Sequence, residues 1–155
     1  MSQRRSELVV VPCGKSKIWD KNPRKGSTKA KDVYLGVPFT VNREYAEKYG
    51  EKWVILSAKY GLIEPDYVIP ENYNVTFNDP ETNPISVNKL QGQVKDNFSE
   101  YMKVLALGST KYSEIVRKAF SGTSAVVCSP VAGLPIGKAL GKVKTAIRLN
   151  KPFQF

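Results

Sequence analysis

The sequence predicts a single α/β domain over residues 1–155, in which a short, mainly parallel sheet of four strands lies between helices. Four apolar runs rich in Val, Ile or Leu recur along the chain, and each is nearly continuous and ends at Pro, Gly or Ser. This pattern is typical of strands buried on both faces of a sheet. The segments between the runs place apolar residues at steps of three and four, which is typical of helices. At 155 residues the chain has the length of one domain with its own core.

The four predicted strands are ELVVVP, KWVILSA, KVLALG and SAVVCSP, at residues 7–12, 52–58, 103–108 and 124–130. Four helices are predicted at residues 41–50, 86–102, 109–120 and from 135 to about 150. Residues 14–30 and 64–85 carry Gly, Pro, Asn and Asp without sustained periodicity and are predicted to be loops. In the last helix the spacing predicts that Ile136, Leu140, Val143 and Ile147 face the sheet.

The balance of charge favours a polyanionic partner. Lys and Arg number 24 against 14 Asp and Glu, which gives a formal net charge of +10. In a small protein such a charge suggests DNA or RNA, although a basic surface that serves solubility is the alternative. The last predicted helix carries Lys138, Lys142, Lys144 and Arg148, which we expect to contact a nucleic-acid backbone. An amphipathic helix with a solvated basic face explains the same pattern.

The composition excludes several classes of protein and site. There is no histidine, which rules out a serine–histidine triad and removes the commonest metal ligand. The two cysteines are too few for a structural zinc site and are more consistent with free thiols in a reducing compartment. No apolar run approaches the roughly 20 residues that span a bilayer, and the start of the chain lacks the apolar core of a signal peptide. We therefore expect a cytoplasmic protein with no membrane association, no metal and no cofactor.

Small residues, hydroxyls and lysines follow the predicted strands. In open parallel sheets, ligands bind beyond the carboxyl ends of the strands. The segments at those ends are PCGKSK, SAKYGLIEPD, GSTKY and SPVAGLPIGK, at residues 12–17, 57–66, 108–112 and 129–138. Backbone N–H groups, hydroxyls and cations suit an anion such as phosphate. Ordinary turn chemistry would explain any one of these loops, but four together favour a binding site.

The first segment contains a candidate nucleophile. Cys13 directly follows a strand, and Lys15 and Lys17 are close in sequence. Adjacent cations can lower the pKa of a thiol and favour a nucleophilic thiolate, but a small buried cysteine at a strand end fits equally well. Cys13 and Lys17 are candidate catalytic residues, and Gly14 and Lys15 are candidate substrate-binding residues. Cys128 lies inside an apolar run and is expected in the core.

The second segment supplies further candidates. Gly61 can adopt a backbone conformation that other residues resist, so that Lys59 and Tyr60 project over the edge of the sheet. There Tyr60 can stack on a base and Lys59 can meet a phosphate. Asp66 is a candidate catalytic acid or base, and a turn residue is the alternative. The other candidate substrate-binding residues are Ser57, Gly61, Tyr73 and Ser109.

Three segments carry a family resemblance. VVVPCGKSKIWD, AKDVYLGVPF and WVILSAKYGLIEPDYVIPENYNVTF resemble a domain family of unknown function from bacteria, archaea and their viruses. Its signature joins a P-C…K motif after the first strand to a later S-A-K-Y-G-L…P-D…Y. The first half of the chain carries the resemblance strongly. The second half matches only in the pattern of LALG and SPVAGLPIGKAL.

The same elements are more distantly similar to the catalytic core domain of archaeosine synthase, whose signature is P-C-S-x-x-K-P-Y. Pro12, Cys13 and Lys17 match it, while Gly14 replaces its serine. That core resembles the uracil-DNA glycosylase superfamily, so the resemblance implies a glycosylase-like fold. The segment CSPVAGLPIGK resembles a histidine-free counterpart of the glycosylase loop that approaches DNA, with Leu134 as its wedge. The first loop lacks the Asp or Asn that activates water in those enzymes.

Residues and resemblance together predict an enzyme that acts on nucleic acid and modifies or releases a base. Cys13 or Lys17 is then the nucleophile or electrostatic centre, Asp66 the acid or base, and Tyr60 the residue that holds an extruded base. A nucleotide hydrolase or deoxyribosyltransferase that uses the same pocket is the second hypothesis. A non-catalytic DNA- or RNA-binding protein is the third. The sequence does not predict an oligomeric state.

Overall fold

The computed structural model describes residues 7–155, and its helices and strands alternate along the chain. In order they are β1 (Glu7–Pro12), α1 (Ile18–Lys21), β2 (Thr28–Lys29), α2 (Ala30–Val33), α3 (Val37–Tyr49), β3 (Lys52–Ser57), β4 (Gly61–Ile63), β5 (Val68–Ile69), a 3₁₀ turn (Pro80–Thr82), α4 (Val87–Asn97), β6 (Lys103–Ala106), α5 (Thr110–Ala119), β7 (Val126–Cys128) and α6 (Ile136–Arg148). Residues 1–6, on which part of the expectation about a signal peptide rests, lie outside the described residues.

Five strands form the central sheet, in the spatial order β4-β3-β1-β6-β7. β1 pairs in parallel with β3 and with β6, β6 pairs in parallel with β7, and β4 runs antiparallel to β3. The chain therefore places β3 on one side of β1 and β6 on the other. The carboxyl ends of β1 and β6 flank the point where the winding direction changes, which is where open α/β sheets bind ligands.

Helices cover both faces of this sheet, so the expected α/β layers and the mainly parallel sheet are confirmed. Along β1 the side chains alternate between two apolar clusters. Val9 and Val11 belong to the cluster that includes residues of α3 and α6. Leu8 and Val10 belong to the cluster that includes residues of α4 and α5. Burial on both faces is the reason that the strand sequences are continuously apolar.

The prediction of four strands misses β4. Residues 58–60 form a turn after β3, and the next three residues pair back onto β3. Gly61 begins this strand with a φ of 77°, a left-handed conformation that favours glycine. A strand of three residues is too short to show its own periodicity, so the sequence pattern does not separate it from the strand-end segment of residues 57–66.

The helix boundaries differ from the prediction at α3, which begins at Val37, and at α4, which ends at Asn97. The predicted loops contain β2 and β5, which pair antiparallel as a separate two-stranded sheet. Of the described residues, none belongs to a helix that is both long enough and apolar enough to cross a bilayer.

The predicted sheet-facing stripe of α6 is partly wrong. Ala139, Val143 and Ala146 are its buried residues, whereas the side chain of Ile136 is 65% exposed. These small residues belong to the same apolar cluster as Tyr45 and Ala46 of α3. The close approach of two helices therefore decides which residues of α6 face inward, and the more hydrophobic Ile136 lies at the rim.

Candidate functional site

Cys13 lies at the carboxyl edge of the sheet, one residue after β1. Its backbone N–H donates to the carbonyl of Leu56 at 3.1 Å, which extends the pairing with β3 past the end of the strand. Its Sγ lies 3.8 Å from the hydroxyl of Tyr112 in the first turn of α5. Because β6 neighbours β1 and leads directly into α5, the two parallel strands bring these residues together.

Lys17 lies beside the same site and is buried, with 9% of its surface exposed. Its Nζ donates to the carbonyl of Lys15 at 3.3 Å and lies 4.7 Å from the centre of the Tyr73 ring. Among residues 7–155 no carboxylate pairs with it. A buried cation without a counter-ion is costly, and an anionic ligand would compensate for that cost.

A buried hydrogen-bond network supports the Tyr73 ring. Its hydroxyl bonds to the hydroxyl of Tyr34 and, at 3.1 Å, to Ser57 Oγ. Ser57 is fully buried and also accepts the backbone N–H groups of Lys59 and Tyr60, each at 3.2 Å. The network connects the turn at residues 58–60 to the long loop that carries Tyr73. Ser57 and Tyr73 therefore support the site without lining its cavity.

Cys13 and Lys17 share a cavity of about 290 Å³. Its lining residues are Cys13, Gly14, Lys15, Lys17, Ala58, Asn74, Val75, Thr76, Asn78 and Tyr112. The lining combines two lysines with amide, hydroxyl and thiol groups and contains no carboxylate. Its volume lies at the small end of the usual range for ligand sites, so it suits a small ligand.

The protonation of Cys13 differs from the sequence-based expectation. Burial raises the pKa of its thiol, and the opposing effects of hydrogen bonds to Ala58 and Tyr112 and of the Lys17 charge are smaller. The Lys17 charge lowers this pKa as expected, but burial outweighs it, so Cys13 carries its proton at neutral pH. Burial also raises the pKa of Tyr73 to about 12 and raises that of Tyr112, so both hydroxyls keep their protons at neutral pH.

Asp66, the candidate acid or base, does not line the Cys13 cavity. Its exposed carboxylate pairs with Lys31 at 3.2 Å and with Lys29 at 3.8 Å. The hydrogen bond from Lys31 holds the pKa of this carboxyl below its ordinary value. The N–H of Lys31 also donates to the carbonyl of Pro65. Because β2 and β5 pair, the loop after β4 runs along α2, and Asp66 fastens it there.

Lys59, Tyr60 and Gly61 adjoin the site but do not line its cavity. The Tyr60 ring lies 5.5 Å from the rings of both Tyr67 and Tyr73, so it packs among aromatic side chains. Lys59 is exposed, with its Nζ 5.7 Å from the Tyr73 ring centre. Gly61 is buried, and a Cβ there would lie 2.8 Å from Ile85 Cδ1. Gly61 is therefore required by the hairpin rather than by a ligand.

Ser109 lines a different cavity, of about 220 Å³. Its lining residues are Asn42, Gly108, Ser109, Val131, Leu134, Ile136, Ala139, Leu140 and Val143. The two cavities border the same short segment, the first through Tyr112 and the second through Gly108 and Ser109.

The basic residues of α6 do not converge on the Cys13 cavity. Lys138, Lys142, Lys144 and Arg148 are all exposed, and at 1.5 Å per residue the first and last lie about 15 Å apart along the helix. Lys142 also donates to the carbonyl of Pro130 at 3.2 Å. Cys128, expected in the core, is half-buried and packs against it.

Sequence reasoning missed Tyr112 and the residues that the long loop contributes to the cavity. Tyr112 fits the apolar stripe of α5 and gives no separate signal. Asn74, Thr76 and Asn78 alternate with apolar residues in the segment NVTFN. In extended backbone such alternation places polar side chains on one side, which is the signal that would have found them. In the described part of the chain no three acidic or cysteine side chains cluster as metal ligands.

Comparison with known proteins identifies relatives of the chain. The model of a family of unknown function (DUF6884) matches residues 8–145. The chain is also similar to "Uncharacterized protein YfjM" of Bacillus subtilis (strain 168), with 36% identity over 110 residues that cover 70% of this chain and 73% of that protein. No solved structure matches. The resemblance to a domain family of unknown function is thus confirmed, and the chain belongs to the DUF6884 family.

Proposed function

We propose that the protein is an enzyme that acts on nucleic acid and modifies or releases a base, with the Cys13 cavity as its reaction site. The observation that carries the proposal is that a cysteine and a buried lysine without a counter-ion line one small cavity. That cavity lies at the carboxyl edge of the sheet beside β1 and β6, the neighbouring strands between which the winding direction changes.

Charge supports a phosphorylated substrate. Lys15 and Lys17 line the cavity without a carboxylate among its lining residues, and the formal net charge of the whole chain is +10. The exposed Lys15 can bind a phosphate next to the base. The negative charge of that phosphate would offset the buried positive charge of Lys17.

Size and polarity support a single base as the group that enters. A base inside a duplex cannot reach a cavity of about 290 Å³, so it must leave the stack first. Asn74 and Asn78 each bring an amide with a donor and an acceptor, which is the chemistry that recognises the edge of a base.

Two roles are open to the reactive side chains. As a nucleophile, Cys13 gives its proton to solvent, and the Lys17 ammonium and the Tyr112 hydroxyl stabilise the thiolate. The thiolate forms a bond to C1′ of the sugar, and the base leaves with the electron pair of the broken glycosidic bond and takes up a proton from solvent. As a nucleophile itself, a deprotonated Lys17 attacks C1′ of the sugar. The base leaves with the bonding electron pair and takes up a proton, and the sugar opens to an imine on Lys17. Borohydride reduces such an imine to a stable cross-link, so trapping separates the two roles.

The loop resemblances support the same class of reaction. The segment around Cys13 resembles the archaeosine synthase core, and residues 128–138 resemble a loop of uracil-DNA glycosylases that approaches DNA. We therefore propose that the α/β fold is similar to that of the uracil-DNA glycosylases.

Mass spectrometry of nucleosides tests the proposal. DNA and RNA are incubated with the protein, digested and compared with untreated samples, and we expect one base to be lost or altered. Cys13→Ser and Lys17→Met should each reduce the rate by about 100-fold or more, as expected when a group at the reacting centre is removed. Asp66→Asn is the matched control and should retain the activity. A Cys13→Ala, Lys17→Ala double variant with full activity would overturn the proposal.

A nucleotide hydrolase or deoxyribosyltransferase is a second candidate, favoured by the small size of the cavity. Tight binding of a mononucleotide with little salt dependence favours this candidate, whereas a steep loss of oligonucleotide affinity with added salt favours a polymer substrate. If oligonucleotide affinity falls steeply with added salt but no base or sugar is changed, the result favours a non-catalytic DNA- or RNA-binding protein. The exposed lysines of α6 would suffice for that function.

A further inference from the structure

The second cavity contains a buried amide without a partner. Asn42, in the middle of α3, is 4% exposed, and its side chain makes no hydrogen bond to any residue within 7–155. The side chain lines the cavity of about 220 Å³. Among the described residues the fully enclosed polar side-chain atoms without a partner do not include this amide, so its polar atoms are reached through the cavity. A ligand that enters the cavity can therefore bond to them without breaking a hydrogen bond inside the protein.

The rest of the lining suits a flat ring. Val131, Leu134, Ala139 and Leu140 present apolar surface to the cavity. Leu134 is 41% exposed at its rim. Apolar walls with one convergent polar group are typical of sites for small ring-containing ligands. The amide of Asn42 offers an acceptor next to a donor, which matches the edge of a nucleobase.

Two helices begin at the border of this cavity. Ser109 is the N-cap of α5, which has 10 residues, and Ile136 is the first residue of α6, which has 13. The Ser109 side chain accepts no hydrogen bond from α5, and the N-cap of α6, Pro135, has no side-chain acceptor. First-turn N–H groups therefore remain available, and they carry the positive end of each helix dipole. Lys138, in the first turn of α6, is exposed. These features suit a phosphate.

We infer that this cavity binds one nucleotide unit, with its base against the apolar wall and Asn42, and its phosphate at the starts of α5 and α6. The unit is either a free mononucleotide or one nucleotide of a single strand. The inference goes beyond the proposed function, since it requires no reaction at Cys13. Both cavities border the segment between residues 108 and 112, so a strand that occupies one passes close to the other.

Binding to four ribonucleoside 5′-monophosphates, the four nucleosides and a short single-stranded oligonucleotide tests the inference by calorimetry. We expect measurable binding of at least one phosphorylated probe. Asn42→Leu keeps a similar volume and removes the amide, so it should weaken that binding about tenfold or more, the usual effect of a lost buried hydrogen bond. Its melting temperature should be equal or higher, which separates lost recognition from lost folding. Asn88→Leu, at an exposed position on α4, is the control and should bind as the wild type does.

A charge substitution tests the phosphate position. Gly137, in the first turn of α6, and Gly92, on α4, both have open space around a new Cβ. Gly137→Glu places a carboxylate where the phosphate should lie and should weaken the phosphorylated probes more than the nucleosides. Gly92→Glu changes the net charge equally and should leave binding unchanged.

The pattern of binding also identifies the source of the nucleotide. If the affinity for a mononucleotide equals that for the oligonucleotide, the natural ligand is a free nucleotide. If only the oligonucleotide binds, and Asn42→Leu weakens that binding, the ligand is a nucleotide within a single strand. These binding measurements involve no reaction at Cys13, so the inference survives if the proposed reaction fails. Absence of binding to every phosphorylated probe, or unchanged binding by Asn42→Leu, would overturn it.

Discussion

Replacement of Gly61 by alanine should destabilise the protein strongly, because the hairpin between β3 and β4 requires glycine. The φ of Gly61 is 77°, a left-handed conformation that costs a residue with a Cβ about 1–2 kcal/mol. The new Cβ would also lie 2.8 Å from Ile85 Cδ1 and closer still to the Gln93 amide. Overpacking of this kind costs about 1–3 kcal/mol. The free energy of unfolding should therefore fall by about 2–5 kcal/mol, a large part of the total for a domain.

The Gln93 side chain makes this contact difficult to relieve. Its Oε1 accepts the N–H of Leu62 at 2.9 Å, and its Nε2 donates to the carbonyl of Tyr60 at 3.0 Å. If Gln93 moves away from a new Cβ, both hydrogen bonds of the turn are lost. The clash therefore affects the turn that supports the floor of the Cys13 cavity.

Urea unfolding followed by tryptophan fluorescence measures the effect. Gly92→Ala is the matched control, since Gly92 lies in α4 with nothing within 4 Å of a new Cβ. It should stabilise the protein by about 0.5–1 kcal/mol, as expected for alanine in place of a helical glycine. A Gly61→Ala variant as stable as the wild type would refute the proposed role of this glycine.

Three further predictions concern the site. Because burial raises the pKa of the Cys13 thiol above its ordinary value of 9.0, its alkylation should be slow at neutral pH and accelerate above about pH 9. The Lys17 charge lowers this pKa, so Lys17→Met should move the pH profile of alkylation to higher pH. At a pH above the pKa of the unfolded thiol, the folded protein still binds the Cys13 proton whereas the unfolded chain has lost it. The free energy of unfolding should therefore fall as the pH rises through this range, and it should fall less in Cys13→Ser. Tyr73→Phe removes two buried hydrogen bonds and should lower the free energy of unfolding by about 1–3 kcal/mol in urea titrations. Asp66→Asn should leave base release or modification within about twofold of the wild-type rate, and a loss of about 100-fold would indicate a catalytic role.

The sheet was largely predictable because burial on both faces leaves a local signal. The runs that became β1, β3, β6 and β7 are continuously apolar, and each contains its observed strand. β4 was missed because three residues carry no periodicity. The inward face of α6 depends on how closely α3 approaches, and this favours Ala139 and Ala146 over the larger Ile136.

The site was predictable only where it depends on strand ends. Cys13 and Lys17 follow one strand, so their common position at the sheet edge follows from the chain itself. The contact between Cys13 and Tyr112 joins residues 99 positions apart and depends on β6 lying next to β1, which no local pattern reveals. Asp66 does not line the cavity because its loop follows the pairing of β2 with β5, two strands of two residues each.

Protection of Cys13 from alkylation tests most directly whether its cavity binds nucleic acid. The protein is treated with iodoacetamide at pH 9 with and without a saturating single-stranded oligonucleotide, and peptide mass spectrometry follows the two free thiols, Cys13 and Cys128. We expect bound oligonucleotide to slow the alkylation of Cys13 severalfold, while Cys128, outside the cavity, reacts at an unchanged rate. Oligonucleotide that binds the protein and leaves the Cys13 rate unchanged would contradict the assignment of this cavity as the nucleic-acid site.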